Sequence, residues 1–264
     1  MPLALLALTI SAFAIGTTEF VIVGLVPTIA EQLAISLPSA GLLVSIYALG
    51  VAVGAPVLTA LTGRFPRKQL LVALMVLFTA GNILAWQAPD YTTLVIARLL
   101  TGLAHGVFFS IGSTIATSLV PKEKAASAIA IMFGGLTVAL VTGVPLGTFI
   151  GQHFGWRETF LAVSLLGVIA LVASLLLVPS SIPGRASASL SDQVKVLTHP
   201  RLLLIYAVTA LGYGGVFTAF TFLAPMMQEL AGFSPGAVSW ILLGYGISAV
   251  SYTHLRAHET EADL

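Results

Sequence analysis

Long apolar runs separated by short polar breaks set the pattern of this chain. Eight such windows stand out: roughly Leu3 to Leu25, Ala40 to Leu61, Leu70 to Trp86, Leu94 to Leu119, Ala125 to Ile150, Phe160 to Val178, Leu202 to Leu223, and a shortened Ala237 to Val250. About 20 residues of this kind cross a hydrocarbon core of about 30 Å as a helix. Strict alternation of apolar and polar positions is missing, so the pattern predicts lipid-facing helices and not the strands of a membrane barrel. Ala12-Phe13-Ala14 imitates a leader cleavage site. No basic residue precedes it and the apolar run continues past it, so the first window reads as a retained span.

The polar breaks are sorted by charge. Arg64, Arg67 and Lys68 lie between spans two and three, Lys122 and Lys124 between four and five, and Arg185, Lys195 and Arg201 between six and seven. The opposite set of loops, around Glu31, Asp90, Arg157 and Glu229, holds a single basic residue. Lys and Arg favour cytoplasmic loops, so this asymmetry predicts a cytoplasmic N-terminus and a multi-pass protein of the bacterial inner membrane. Residues 179–200, rich in Ser, Pro and Gly, read as a cytoplasmic linker between a six-helix half over 1–178 and the start of a second half over 201–250.

An internal period supports that division. Pro27 and Pro225, Glu31 and Glu229, Tyr47 and Tyr245, Gly16 and Gly214, and Leu25 and Leu223 are each 198 residues apart. A six-helix unit repeated in parallel is one of the architectures of membrane carriers. Ser251 to Leu264 then changes character, with Arg256, Glu259, Glu261, Asp263 and two of the five His in its 14 positions. Two readings are open for 251–264: a cytoplasmic tail after a tilted or re-entrant helix, or foreign sequence joined to a shortened reading frame.

Composition agrees with the membrane reading and removes other classes. Of 264 residues, 58% are hydrophobic and 8% charged, against about 25% charged in a soluble domain. A net charge of +1 offers no basic field for nucleic acid. With no Cys, disulfides, haem thioethers and thiolate metal sites are excluded. No nucleophile paired with a base, metal-ligand cluster or phosphate loop is visible, so neither an enzyme nor a cofactor or metal is expected.

Ionisable residues inside spans are costly and therefore mark candidate chemistry. There are three: Glu19 in span one, and Arg98 and His105 in span four. The first span runs outward and the fourth inward, which puts Glu19 and Arg98 at similar depth, where they can pair. His105 follows Arg98 by two turns, on one face. A structural salt bridge is one reading of Glu19 and Arg98. The other is a carboxyl that takes a proton in one state and releases it in another. For His105 the alternatives are a packing side chain and a member of that site.

Gly50 and Gly54, Gly102 and Gly106, and Gly147 and Gly151 have the spacing that lets helix backbones approach closely. Pro145, between Gly143 and Gly147, reads as a hinge because it removes a backbone hydrogen bond inside a span. Tyr213, Phe217 and Phe220 are placed to line an apolar cavity or to pack against neighbouring helices.

Taken together these residues resemble the major facilitator superfamily, close to its drug:proton antiporter and arabinose (sugar) efflux permease-like group. The resemblance covers residues 1–250. It rests on Gly16-Thr17-Thr18-Glu19-Phe20, Gly63-Arg64-Phe65-Pro66-Arg67-Lys68, Arg98-Leu99-Leu100-Thr101-Gly102, Gly143 to Gly147, and Gly155-Trp156-Arg157. It implies an all-α membrane bundle with about eight of twelve helices present, and a central cavity walled by helices one, four, seven and ten. Glu19, Arg98 and His105 would then handle protons, with Phe20, Thr101, Tyr213, Phe217 and Phe220 at the cavity. Gly143, Pro145 and Gly147 would form the antiporter hinge, and Arg64, Arg67 and Lys68 the cytoplasmic loop motif. The sequence departs from the family where Gly63 replaces an Asp, Pro66 a Gly, and Val144 and Thr148 two glycines. The function implied is proton-coupled efflux of a small organic solute by a monomer in the bilayer. A shortened membrane fragment without transport activity is the competing expectation.

Overall fold

A computed structural model describes the backbone of residues 2–63, 65–180, 182 and 198–262, and side chains as far as residue 249. Arg64, most of the expected linker with Arg185 and Lys195, and the side chains of 251–264 lie outside the described residues. The first span is two helices, α1 (Leu3–Phe20) and α2 (Ile22–Gln32), joined at Val21. It is followed by α3 (Leu37–Thr62), α4 (Arg67–Trp86), α5 (Tyr91–Ser118), α6 (Lys122–Phe154), α7 (Trp156–Leu177), α8 (Pro200–Thr221) and α9 (Pro235–Ala262). Among the described residues, α1 and α3 to α8 are long and apolar enough to cross a membrane.

Local sequence explains the ends. The Ser36 hydroxyl accepts from the Ser39 amide at 3.2 Å, and the Asp90 carboxylate from the Thr93 amide at 2.8 Å, each serving one of the unpaired amides at a helix start. Gly155 turns the chain from α6 into α7 at φ +106°, a conformation open to glycine. Proline shapes the interiors. The turns Gly54–Leu58, around Pro56, and Ala139–Gly143, just ahead of Pro145, widen to π-helical spacing, because each proline leaves a carbonyl without its usual donor. In α6 the widened turn lies directly before the Gly143-to-Gly147 segment. In the first span the helix runs through Pro27 to Gln32, past the limit at Leu25 that the apolar pattern suggested.

The helices pack in both senses: α4 and α7 run antiparallel, whereas α3 and α5 run parallel, their contacts rising together from Tyr47–Gly102 to Val51–Gly106. Lys68 at the start of α4 donates to the Leu175 carbonyl at the end of α7 at 2.8 Å. Arg157 at the start of α7 returns the arrangement, its Nε and Nη2 donating to Ala88 beyond α4 at 3.1 and 2.8 Å. The pair α3 and α5 meets along the expected glycine seam: a Cβ on Gly50 would reach the Leu99 carbonyl at 2.7 Å, and one on Gly106 the Val51 carbonyl at 2.6 Å. Backbone touches backbone there. α9 lies against α6, where Ser239 donates to Gln152 at 3.1 Å. Its backbone stays helical through residue 251 to Ala262, so the helix is longer than the apolar window Ala237 to Val250.

Two apolar cores fill the bundle, one above the other. The first gathers Leu5, Leu8 and Ile15 with Leu71, Met75, Phe78, Phe108 and Ile111. The second gathers Val21, Leu25 and Ile29 with Leu43, Trp156 and Phe160. Between their levels on α1, α4 and α5 sit Thr17, Thr18, Asn82, Arg98 and Thr101, all buried. That polar layer holds the candidate site.

Candidate functional site

The layer is built around Arg98, whose side chain is 1% exposed. Its Nη1 donates to the Thr18 carbonyl at 2.7 Å and its Nε to the Leu43 carbonyl at 3.3 Å. The guanidinium stacks over the Tyr47 ring at 4.2 Å, an attraction that reaches about 2 kcal/mol when water is excluded. Thr18 belongs to the last turn before the chain breaks at Val21, where a helix has carbonyls without intrahelical donors. Arg98 supplies one of those donors from across the bundle. The Thr18 hydroxyl donates to Asn82 on α4 at 2.7 Å, and Asn82 donates to the Phe78 carbonyl at 2.9 Å.

The expected pairing of Glu19 with Arg98 is corrected by this geometry. Among the described residues Glu19 Oε2 instead meets His105 Nδ1 at 3.8 Å, a contact that is an ion pair only when the imidazole is protonated. Arg98 does reach the level of Glu19, bonding the adjacent Thr18 carbonyl, but rotation about the helix axes turns it toward carbonyls and the Tyr47 ring. His105 and Arg98 do lie on one face of α5. His105 Nδ1 is also 2.9 Å from the Tyr47 hydroxyl, and the His105 ring lies 4.9 Å from Phe109, tilted by 50°. Four residues from three helices, Glu19, Tyr47, Arg98 and His105, thus form one cluster.

Glu19 and His105 face a cavity of about 1010 Å³ between α3 and α8. Ser39, Ser45, Thr218 and Thr221 supply hydroxyls to its wall, and Tyr213 and Phe217 supply rings. An adjoining space of about 880 Å³ is walled by Phe20, Tyr213, Phe217, Phe220 and Tyr245. Phe20 lies 6.2 and 6.4 Å from the rings of Phe217 and Phe220, and Phe220 stacks on Tyr245 at 4.9 Å. Four of the five expected cavity residues are therefore together. Thr101 is the exception: its hydroxyl is spent on the Ala97 and Arg98 carbonyls and its methyl packs toward Gly81 on α4. It lines neither space.

Gly143 faces the Thr17 side chain and Gly147 faces Val21, so the widened turn of α6 is pressed against the break in the first span. Arg67 and Lys68 begin α4, far in sequence from the cluster. Tyr47, Thr18 and Asn82 were missed as site residues. Tyr47 was marked only through its repeat partner Tyr245, and a polar side chain in the middle of each apolar window was the available signal.

Comparison with known proteins completes the description. The family model described as Major Facilitator Superfamily matches residues 8–256. The uncharacterized MFS-type transporter YtbD of Bacillus subtilis is 56% identical over 93% of this chain and 62% of its own length. The inner membrane transport protein YdhP of Escherichia coli K12 is 46% identical over 94% of this chain and 64% of its own length. The chain thus spans less than two thirds of these relatives. Among solved structures, the D-xylose-proton symporter superposes with a TM-score of 0.73 at 15% identity, over 98% of this chain and 68% of that one, a likeness of fold.

Proposed function

The chain belongs to the Major Facilitator Superfamily, and from that premise we propose that it forms the larger part of a proton-coupled exporter of a small organic solute. One observation carries the reading: a carboxyl and an imidazole 3.8 Å apart stand at the wall of an open cavity between α3 and α8. An ionisable residue at that depth is costly unless it works or pairs. Glu19, with His105 beside it, accepts a proton from one side of the membrane and releases it to the other, and Arg98 holds the broken span that carries Glu19. The rings of Phe20, Tyr213, Phe217 and Phe220 receive the solute.

Alternating access follows from rocking of two six-helix halves about this midplane site. The widened turn at Ala139–Gly143, just ahead of Pro145, gives α6 its bending point, and Arg67 and Lys68, with Arg64, mark the cytoplasmic side, as does the N-terminus. A proton moving through 100 mV releases about 2.3 kcal/mol, enough for a roughly fifty-fold solute gradient at about 1.4 kcal/mol per decade. One carboxyl suffices. The working unit is a monomer in the bacterial inner membrane.

The test uses residues 1–250 joined to the remaining part of YdhP, in everted membrane vesicles energised by a proton gradient, with ethidium and L-arabinose as probe solutes. Gradient-driven movement of one probe is expected, and Glu19→Gln removes it while the protein still accumulates in the membrane. Undiminished movement by Glu19→Gln overturns the reading. Running the 264-residue chain alone in the same assay separates a working carrier from an inactive fragment.

A further inference from the structure

The Tyr47 hydroxyl has no role in the mechanism above, yet it points at the nitrogen through which Glu19 and His105 would exchange a proton. His105 Nδ1 lies 2.9 Å from that hydroxyl and 3.8 Å from Glu19 Oε2. A ring nitrogen makes one in-plane hydrogen bond, as donor or as acceptor according to the tautomer. Tyr47 and Glu19 therefore compete for a single atom, and Tyr47 is at bonding distance.

We infer that Tyr47 is a positioning residue that keeps neutral His105 in the tautomer with its proton on Nε2, so that Nδ1 accepts from the Tyr47 hydroxyl and the proton path to Glu19 stays closed. The inference rests on the proposed role of Glu19 and His105. Its support is the unequal mounting of the three groups. Tyr47 and His105 stand on α3 and α5, whose backbones touch at the glycine seam; the Tyr47 carbonyl itself lies against Gly102, and the Tyr47 ring is clamped by Arg98. Glu19 stands two residues before the break at Val21, on the helix whose end is held from outside by Arg98. Tyr47, buried and clamped, is the fixed partner, and Glu19, whose side chain faces the cavity, the adjustable one.

Exchange then has defined steps. Glu19 approaches by about an ångström from its 3.8 Å position, and the Tyr47 O–H bond rotates away from Nδ1. The carboxylic acid gives its proton to Nδ1, leaving a carboxylate and an imidazolium with protons on both nitrogens. Loss of the Nε2 proton to cavity water leaves the Nδ1–H tautomer donating to Glu19. The groups facing the imidazole are Glu19 from α1, Tyr47 from α3, and Arg98 and Phe109 from α5, so the tyrosine is the neutral donor in the set.

The tautomer is read directly by nitrogen NMR of the 264-residue chain, labelled at histidine and placed in lipid nanodiscs, with His105→Gln identifying the signal among five His. The wild type is expected to show an unprotonated Nδ1. Tyr47→Phe keeps the ring under Arg98 and removes the hydroxyl, so the ratio of the Nε2–H to the Nδ1–H form falls by about fivefold, the worth of one net hydrogen bond. Glu19→Gln leaves the tautomer unchanged. A wild-type Nδ1–H, or a ratio indifferent to Tyr47→Phe, overturns the inference. Because no transport is measured, this outcome is independent of the exporter reading. In the YdhP-joined protein, Tyr47→Phe additionally shifts the pH profile of probe movement, where a merely structural residue would lower it at every pH.

Discussion

Adding one methyl group to the α3–α5 seam tests how tightly the site is mounted. A Cβ at Gly102 would lie well inside contact with the Tyr47 carbonyl oxygen, 3.1 Å from its carbon and 3.2 Å from Gly50 Cα. These are backbone atoms, so no side chain can rotate away, and α3 must retreat by about an ångström. Overpacking of this kind costs about 1–3 kcal/mol. Gly134 on α6 supplies the control, since a Cβ there meets nothing within 4 Å. Gly→Ala raises helix propensity by about 1 kcal/mol at either position, so the difference between Gly102→Ala and Gly134→Ala isolates the seam. Thermal unfolding in nanodiscs is expected to place Gly102→Ala several degrees below Gly134→Ala. The same retreat stretches the 2.9 Å bond from Tyr47 to His105 beyond hydrogen-bonding range, so histidine NMR reports the displacement independently. Equal melting of the two variants would show that the seam is looser than its contacts indicate.

Three further perturbations follow from named contacts. Arg98→Met removes the donor to the Thr18 carbonyl, a loss of about 1–3 kcal/mol for a buried acceptor; hydrogen exchange should rise at residues 19–24 and stay unchanged in α4 and α7. Arg157→Lys cannot reproduce the two-pronged bond to Ala88, so it should lower the melting temperature, and an unchanged value would assign that contact no weight. Asp90 is held below the usual carboxylate range by the Thr93 amide and hydroxyl. A lowered folded-state pKa gives stability above the unfolded value that is lost as pH falls through the folded one. Asp90→Ala should therefore lower stability at neutral pH and flatten its acid dependence, seen by melting across pH 3 to 7.

Much of the fold is legible because lipid makes the rule simple: each span must be apolar for its length. The glycine pairs were also readable, since close approach of helix backbones requires them. Sequence position gives depth in the membrane but not rotation. Glu19 and Arg98 were placed at one level, and azimuth then paired Glu19 with His105. Thr101, between Arg98 and His105 in sequence, turns toward α4 for the same reason. Tyr47 and Asn82 escaped notice because a neutral polar residue in an apolar window costs little and sends no signal as strong as a charge. The apolar pattern ends the first span at Leu25, whereas the helix runs on through Pro27 to Gln32 after tightening at Gly24, whose amide bonds to Val21 three residues back.

The polar layer between the two apolar cores also bears on how the chain enters a membrane. Thr18 needs Asn82 from α4, its carbonyl needs Arg98 from α5, and Glu19 needs His105 from α5. During synthesis the first span is complete long before those partners exist. A carboxylate or guanidinium alone at the centre of a helix adds about 2.5–3.5 kcal/mol to insertion. Separate release of α1 and α5 into lipid incurs that penalty twice, whereas joint release incurs neither in full. The layer thus favours collective biogenesis: a first helix that stays at the insertion machinery until the fourth span arrives avoids placing either charge alone in lipid.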